Sequence, residues 1–396
     1  MYNVAMINRK NFFMTAVLLA VIFLTGCGQV NSVMIQAGIA PSPYYHLGDT
    51  MWDHGGVEEY WFNQIPSELN EVYRELYSRL SNYEDSADLY AGVPTETFWK
   101  VYHAVLADHP EFFWIDSNIE ATESGLSGKV IAYRVNANVP VGEREQVKAQ
   151  LEAAADACIA GIPSDASDYG KIKAVYDFLI DTVDYRLDSP NNQNIQSALL
   201  DHRSVCAGYS RAFQYILHRM GMFCTYVTGR TDTGEDHAWN IVRIDGQYYN
   251  VDVTWGDPVF AGTVDSHVQM ATSYNYLCCS DEELRKTHIP EADFDLPSCT
   301  DESYNYYRIN GMYYETFDYD TVYQALMNSV WEERRYITLK FGSREAYDTA
   351  VYEFFSNGML QEPSQYLMNL YGTRSWNYHY YTEEEFCLIT IYWMSE

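Results

Sequence analysis

Apolar residues recur along the chain in separate blocks, some at helical spacing and some at strand spacing. Leu69, Val72, Tyr73, Leu76, Tyr77 and Leu80 share one helix face, and Phe98, Val101, Tyr102, Val105 and Leu106 share another. Lys129 to Val139 alternates like a strand, and Glu143 to Ile159 returns to the helical period. Gly161-Ile162-Pro163-Ser164-Asp165 then marks a boundary. Beyond it, Ile172, Val175, Tyr176, Leu179 and Ile180 predict a helix from Tyr169 to Val183. Tyr185 to Asn194 is polar and reads as a loop, and Ile195 to Leu200 leads toward Cys206. From Cys206 a further amphipathic run carries Tyr209, Phe213, Ile216, Leu217 and Met220 and stops at Gly221, a glycine in the position of a helix C-cap.

Two strand-like runs follow, Ala238 to Ile244 and Tyr248 to Thr254, separated by Asp245-Gly246, a strong two-residue hairpin signal. With that turn, Ile244 faces Gln247, His237 lies opposite Thr254, and Asp252 lies opposite Trp239. His237 and Asp252 then project from the same sheet face as diagonal neighbours, within reach of an imidazole–carboxylate hydrogen bond. A bulge or a one-residue slip would place them on opposite faces. Cys206 is expected at a helix N-terminus, where unpaired backbone N–H groups and the positive end of the helix dipole favour a thiolate. A helix-borne cysteine with a strand-borne His–Asp pair is the arrangement of an activated nucleophile with an oriented base.

These residues also carry a likeness. Cys-Ala-Gly-Tyr-Ser at 206–210, Gly-Arg-Thr-Asp-Thr-Gly-Glu-Asp-His-Ala-Trp-Asn at 229–240 and Tyr-Asn-Val-Asp-Val-Thr-Trp-Gly-Asp-Pro at 249–258 resemble the bacterial transglutaminase-like superfamily. The resemblance runs from about Lys171 to Pro258, with a weaker likeness through Asp108-His109-Pro110-Glu111-Phe112-Phe113-Trp114. It implies an α+β fold with a papain-like core, a helix bearing the cysteine packed on an antiparallel sheet bearing histidine and aspartate. It also implies a catalytic triad, carried here by Cys206, His237 and Asp252. Peptidases, amidases, cross-linking enzymes and inactive members share that core.

Acyl chemistry needs two donors for the developing oxyanion, and the Cys206 backbone N–H is one candidate. Papain-like enzymes often add a side-chain amide from upstream. Gln193 is the candidate by type, with Asn194 and Gln196 as rivals. Tyr209, Trp239 and Trp255 are candidates for the cleft wall, although large aromatics so close to these elements also serve as core. His103 and His109 lack a second ligand at metal spacing and read as structural or surface residues. Apart from Cys27 and Cys206, the cysteines are Cys158, Cys224, Cys278, Cys279, Cys299 and Cys387. Their spacing selects no disulfide pairing and contains no Cys-x-x-Cys, so neither a metal nor another cofactor is expected. Asp257, Asp265 and His267 lie close in sequence without a calcium-loop pattern.

The ends of the chain add context. Arg9 and Lys10 precede an apolar run from Phe12 to Leu24, too short for a membrane span and flanked like a secretory signal. Leu24-Thr25-Gly26-Cys27 resembles a bacterial lipobox, which implies cleavage before Cys27 and lipidation of its thiol. Residues 28–50, with Pro41-Ser42-Pro43, read as a tether, and an extracytoplasmic, lipid-anchored protein is expected. Residues 51–167 form an N-terminal α+β region and residues 168–300 the catalytic core. Residues 301–396 form a small α+β domain that holds 16 of the 36 tyrosines, best used in packing between strands. There, Tyr304 to Ile309 and Met312 to Phe317 flank Asn310-Gly311 as a hairpin. Helices are expected at Asp320–Trp331 and Glu345–Phe355, with strands at Tyr336–Phe341 and Phe386–Trp393.

A formal charge of −30, from 25 basic and 55 acidic side chains, argues against nucleic acid as a partner. The reading that joins these features is a surface-anchored cysteine enzyme acting on peptide or side-chain amide bonds of a protein or peptide substrate through a thioester. Hydrolysis is favoured over amine transfer, because water is always at hand while an amine needs a water-excluding channel. The competing readings are an inactive module that binds envelope or partner peptides, and a structural protein joining envelope components.

Overall fold

The computed structural model describes residues 57–257 and 272–394, together with Met34 and Tyr44. Apart from Met34 and Tyr44, which fall in the stretch read as a tether, the signal, lipobox and tether readings, Cys27 included, lie outside the described residues, as do Asp265 and His267. Among the described residues no helix is long and apolar enough to cross a membrane. The chain divides into two compact units that alternate along the sequence. One comprises residues up to 164, 181–227 and 292–296, and the other 165–180, 228–291 and 297–396.

The first unit opens with helices α1 (Tyr60–Gln64), α2 (Asn70–Ser81) and α3 (Thr95–Asp108). The apolar faces read from sequence are its core: Val72, Tyr73, Leu76, Leu80, Phe98, Val101, Tyr102 and Val105 are buried. Strands β1 (Ser86–Pro94), β2 (Ile115–Glu123) and β3 (Lys129–Ala137) form an antiparallel sheet with β3 in the middle. Helix α4 (Arg144–Ala160) follows, and its first residue is fully buried. The Arg144 guanidinium lies 4.0 Å over the Trp114 ring and is held by Asp85 at 2.6 Å and by the carbonyls of Val139 and Tyr83 at 2.9 Å each. That census gives a buried cation both a counter-charge and acceptors for its donors.

Helix α5 (Asp168–Thr182), most of which belongs to the second unit, occupies the predicted position. Back in the first unit, the segment read as a polar loop begins with β4 (Asp184–Tyr185), which pairs in parallel with β5 (Arg203–Ser204). Between them, α6 (Ile195–Leu199) is capped by the Asn194 side chain, which accepts from the Gln196 N–H at 3.0 Å. Helix α7 (Cys206–Arg219) starts at Cys206, as the periodicity predicts, and is buried along most of its length. Gly221, at φ +71°, ends it in the left-handed conformation that glycine adopts without strain.

The central sheet, which belongs to the second unit except for the first four residues of β6, has the order β10-β6-β7-β8-β9. Its strands are β6 (Cys224–Thr231), β7 (Asp236–Ile244), β8 (Gln247–Val251), β9 (Leu277–Cys279) and β10 (His288–Pro290). β7 and β8 pair antiparallel with Ile244 opposite Gln247, so the Asp245-Gly246 turn sets the expected register. The ladder ends at Asn240 opposite Val251, and the chain then turns through a short 3-10 segment, Thr254–Gly256. That segment lies close under α5, because a Cβ on Gly256 would stand 2.0 Å from the Tyr176 hydroxyl. Helix α8 (Asp281–Leu284) connects β9 to β10.

The C-terminal part of this unit corrects one expectation. Residues 304–317 do not form a hairpin. Tyr306–Ile309 is a short helix, α9, and Tyr313–Tyr314 is a strand, β11, which pairs in parallel with β12 (Tyr336–Phe341). Asn310 and Gly311 serve as the helix end, with Gly311 at φ +66°, while Asn305 caps its start by accepting from Tyr307 N–H. An Asn-Gly pair suits a helix terminus as well as a hairpin, since both need a positive φ. Helices α10 (Tyr319–Trp331), α11 (Arg344–Phe355) and α12 (Gln361–Tyr371) and strands β13 (Asn377–Glu383) and β14 (Leu388–Met394) complete the unit. The sheet order there is β11-β12-β14-β13, over a core that includes Val322, Leu326, Leu339, Phe354, Ile389 and Ile391.

Candidate active site

Asp252 follows the last residue of β8 and is fully buried. Its Oδ1 accepts the backbone N–H groups of Thr254 at 2.9 Å and Trp255 at 3.3 Å, which fixes the carboxylate at the start of the turn. Its Oδ2 accepts Nε2–H of His237, on the second residue of β7, at 2.8 Å. The imidazole–carboxylate contact expected from the hairpin register is therefore present, although the ladder stops short of both residues. Burial pushes the Asp252 carboxyl up, but the two imidazoles beside it outweigh burial and hold it well below the usual carboxylate range. A proton held on Nε2 of His237 makes Nδ1 the basic nitrogen of that ring.

A residue that the sequence reading did not single out completes this cluster. Nε2–H of His288, the first residue of β10, also donates to Asp252 Oδ2, at 3.1 Å. The His288 ring is buried between His237, Trp255, Tyr276 and Trp239, with centroids 4.8 to 5.2 Å away. His237, Asp252 and His288 place one ligand atom each within 4.8 Å of one another, a group able to hold a metal ion. In the present arrangement those atoms are joined by protons, and a metal would have to displace both N–H hydrogens.

Cys206 is the first residue of α7 and is half-buried. Val205, the N-cap, is extended and offers no side-chain acceptor, so the helix start is not closed by a cap. Nearby in the same unit, the Arg211 guanidinium lies 4.2 Å over the Tyr226 ring. Burial raises the Tyr226 hydroxyl, Arg211 opposes that, and the Cys206 sulfur raises it further, which places the thiol in this neighbourhood. The strand and helix that precede Cys206 pack tightly on the first turn of α7 at Gly208. A Cβ there would fall 1.9 Å from Ser204 Oγ, 2.6 Å from Ser197 Oγ and 3.1 Å from the Asn194 carbonyl.

The amide candidates are therefore brought to this end of α7, with different duties. Gln196 is buried and donates to the Phe113 carbonyl at 3.0 Å, and Asn194 is the cap of α6. Gln193 is exposed, with Nε2 donating to Asn192 Oδ1 at 3.0 Å. Among the aromatic candidates, Tyr209 is fully buried with its hydroxyl on the Val183 carbonyl, and Trp239 is fully buried against His237 and His288. Both serve as core. Trp255 is only partly buried, packs on His237 and His288, and lines a cavity of about 400 Å³ together with Tyr276, Tyr307, Glu383 and Phe386.

All seven cysteines among the described residues are free, Cys278 and Cys279 included. His103 is exposed. His109 is buried, with Glu111 at 2.9 Å and the Tyr73 hydroxyl at 3.2 Å, so it is a satisfied structural histidine.

Residues 154–253 match the transglutaminase-like superfamily. Mouse kyphoscoliosis peptidase is 24% identical over 127 residues, which is 28% of this chain and 19% of that protein. The human kyphoscoliosis peptidase is 27% identical over 116 residues, 25% of this chain and 17% of that one. The chain thus spans less than a fifth of the length of the curated relatives it matches. Among solved structures, the crystal structure of a TGase aligns at 14% identity with a TM-score of 0.26, covering 39% of this chain and 47% of that one.

Proposed function

We propose that the transglutaminase-like domain of this α+β chain, papain-like in its core, works as a cysteine peptidase or amidase. The observation that carries the proposal is the buried hydrogen bond from His237 Nε2 to Asp252 Oδ2, which makes His237 Nδ1 a base. The order of Cys206, His237 and Asp252 along the chain, and the position of Cys206 at an uncapped helix start, support Cys206 as the nucleophile for that base.

In this reading His237 takes the Cys206 proton and the thiolate sulfur attacks an amide carbonyl. The oxyanion is held by the Cys206 N–H, with Gln193 as the upstream amide candidate. The C–N bond then breaks, the amine leaves with the proton from His237, and a thioester remains. Asp252 keeps the ring oriented and stabilises its cationic form. Water, activated by His237, attacks the thioester and releases an acid. Both curated relatives are peptidases by name, which supports hydrolysis over amine transfer. The signal-like run and Cys27 support an extracytoplasmic, lipid-held enzyme with protein or peptide substrates.

Alkylation by iodoacetamide across pH, with Cys206→Ala and His237→Ala as controls, tests the nucleophile. Labelling of Cys206 near neutral pH that slows at least tenfold in His237→Ala is expected. Equal rates in the two proteins would overturn the reading. Offering a casein substrate with and without a fluorescent primary amine then separates the reactions. Newly released acid or amine termini are expected. Isopeptide products with no released acid would instead assign amine transfer.

A further inference from the structure

We propose that His288 is a positioning residue of this site, which from β10 supplies the second imidazole donor on Asp252 Oδ2 and confines the His237 ring so that its Nε2–H, rather than Nδ1, is turned to the carboxylate. The inference deepens the proposed function and rests on it for the role of His237 as base.

A carboxylate offers about four lone-pair sites. Asp252 has four donors on them: Thr254 N–H and Trp255 N–H on Oδ1, and the Nε2–H groups of His237 and His288 on Oδ2. Because an ionised carboxylate only accepts, each imidazole must carry its proton on Nε2. For neutral His288, Nδ1 is then an acceptor, and the hydroxyl of Thr287 stands 2.9 Å from it. The Thr287 oxygen is in turn 2.7 Å from the Tyr276 hydroxyl. One consistent set of directions follows: Tyr276 O–H to Thr287 Oγ1, Thr287 O–H to His288 Nδ1, and His288 Nε2–H to Asp252. All four residues of that chain are buried, which limits competition from water for these directions.

The fold is arranged to hold β10 in this place. His288 pairs with Thr231 and Pro290 with Gly229 on β6. A Cβ on Gly229 would fall 2.3 Å from the Ile289 carbonyl and 2.7 Å from the Trp239 ring, so glycine there lets β10 and Trp239 close in beside His288. The Asp232 N–H donates to the Thr287 carbonyl at 2.8 Å and fixes the strand start. Without His288, Oδ2 has room for a second partner, and the His237 ring loses the neighbour that confines its rotation.

Histidine-selective ¹⁵N NMR on the full chain reads tautomers directly and needs no substrate. Wild type, His288→Phe, His288→Gln and Thr287→Val are compared, with melting curves as the control for folding. Wild-type His237 is expected as the Nε2–H tautomer, and His288→Phe is expected to give a mixture with protonated Nδ1. Alkylation of Cys206 should slow on the order of tenfold, the loss of one charge-assisted hydrogen bond. His288→Gln, whose amide N–H reaches the same oxygen, should restore most of both signals. Thr287→Val should shift the His288 Nδ1 resonance, loosen that ring while leaving the strand paired, and bring part of the His237 mixture, so that an unchanged His237 tautomer there overturns the proposal if His288→Phe does not fold. An unchanged His237 tautomer in His288→Phe, or a folded His288→Gln that restores nothing, would overturn the proposal. So would Zn²⁺ at micromolar concentration that moves both Nε2 signals, since these atoms would then be metal ligands. A wild-type Cys206 that alkylates like an ordinary thiol would sink the peptidase reading and leave the tautomer result to stand by itself.

Discussion

Gly208 and Ser204 are in such close approach that a Cβ on the glycine would stand 1.9 Å from the serine hydroxyl oxygen. That oxygen is not the movable tip of a long chain. It is buried and hydrogen-bonded to Ser197 at 2.6 Å, on the short strand that leads into Cys206. Gly208→Ala must therefore push the start of α7 away from β5 and α6. Overpacking of this kind costs about 1–3 kcal/mol, and the absence of a flexible neighbour puts this site at the upper end. Urea unfolding should show the midpoint falling with the slope unchanged. Cys206 labelling should also slow, because the helix start is displaced. A midpoint equal to wild type would mean the contact relaxes freely.

Asp252→Asn makes a sharper test of the base than deletion does. The replacement keeps an oxygen for Thr254 and Trp255 but turns an NH₂ group toward two imidazole N–H donors. Donor then faces donor, and at least one ring must move its proton to Nδ1 or rotate. For His237 the proton would then occupy the nitrogen that should act as base. Loss of turnover on the order of 10²–10⁴ is expected, with a folded protein by circular dichroism. Full activity in a folded Asp252→Asn would remove Asp252 from the mechanism.

The contrast between His237 and His288 explains how much of this site was legible in the sequence. His237 and Asp252 are joined by a hairpin whose Asp245-Gly246 turn announces itself, so their register follows from counting. Cys206 opens a long helix whose apolar period is unmistakable. His288 lies in a three-residue strand, too short for any alternation, and reaches Asp252 across 36 positions of chain. Only tertiary pairing with β6 brings it there. The same limit hid β13, whose Asn377–Glu383 run has little buried apolar surface, and α12, where Pro363 sits in the first turn and few residues are buried. Asn310-Gly311 misled for a different reason: its positive-φ preference fits a helix end and a hairpin equally. The first switch between the two compact units, at 164/165, falls in the Gly161–Asp165 boundary read from the sequence, whereas the return at 180/181 lies inside the continuous helical pattern of α5 and carries no mark.

The thiols should separate cleanly by accessibility. Cys158, Cys224, Cys278, Cys279 and Cys299 are buried, and burial raises each of them, Cys158 to about 11. Cys387 is partly exposed but is also raised, by burial first. Cys206 is partly exposed at a helix start. Brief alkylation of the native protein at neutral pH, followed by peptide mapping, should therefore modify Cys206 well before the other six. In denaturant all should react alike. Labelling of Cys387 ahead of Cys206 would contradict the environment assigned to Cys206.

The buried acid of the first unit sets a pH dependence of the opposite sign to that of Asp252. Burial raises the Asp108 carboxyl to about 6, against the pull of His109 and of the donors Trp61 N–H, Tyr73 O–H and Phe62 N–H. The native state thus keeps this proton at pH values where the unfolded chain, near 3.9, has lost it. Stability from this group is complete below about pH 4 and is lost as pH rises through about 6. His109 acts in the same sense. Burial lowers it, but Glu111, Glu59 and Asp108 outweigh burial and raise it, so its contribution is present below about 6.5 and lost as pH rises further. Asp252, held low, contributes stability above its unfolded value and loses it only as pH falls. Urea midpoints measured from pH 4 to 7 on wild type and Asp108→Asn should differ in slope. The wild type should lose about 1–3 kcal/mol relative to the variant between pH 4 and 6. Parallel curves would show that the three donors around Asp108 keep its carboxylate charged in the folded chain and that its burial is fully compensated.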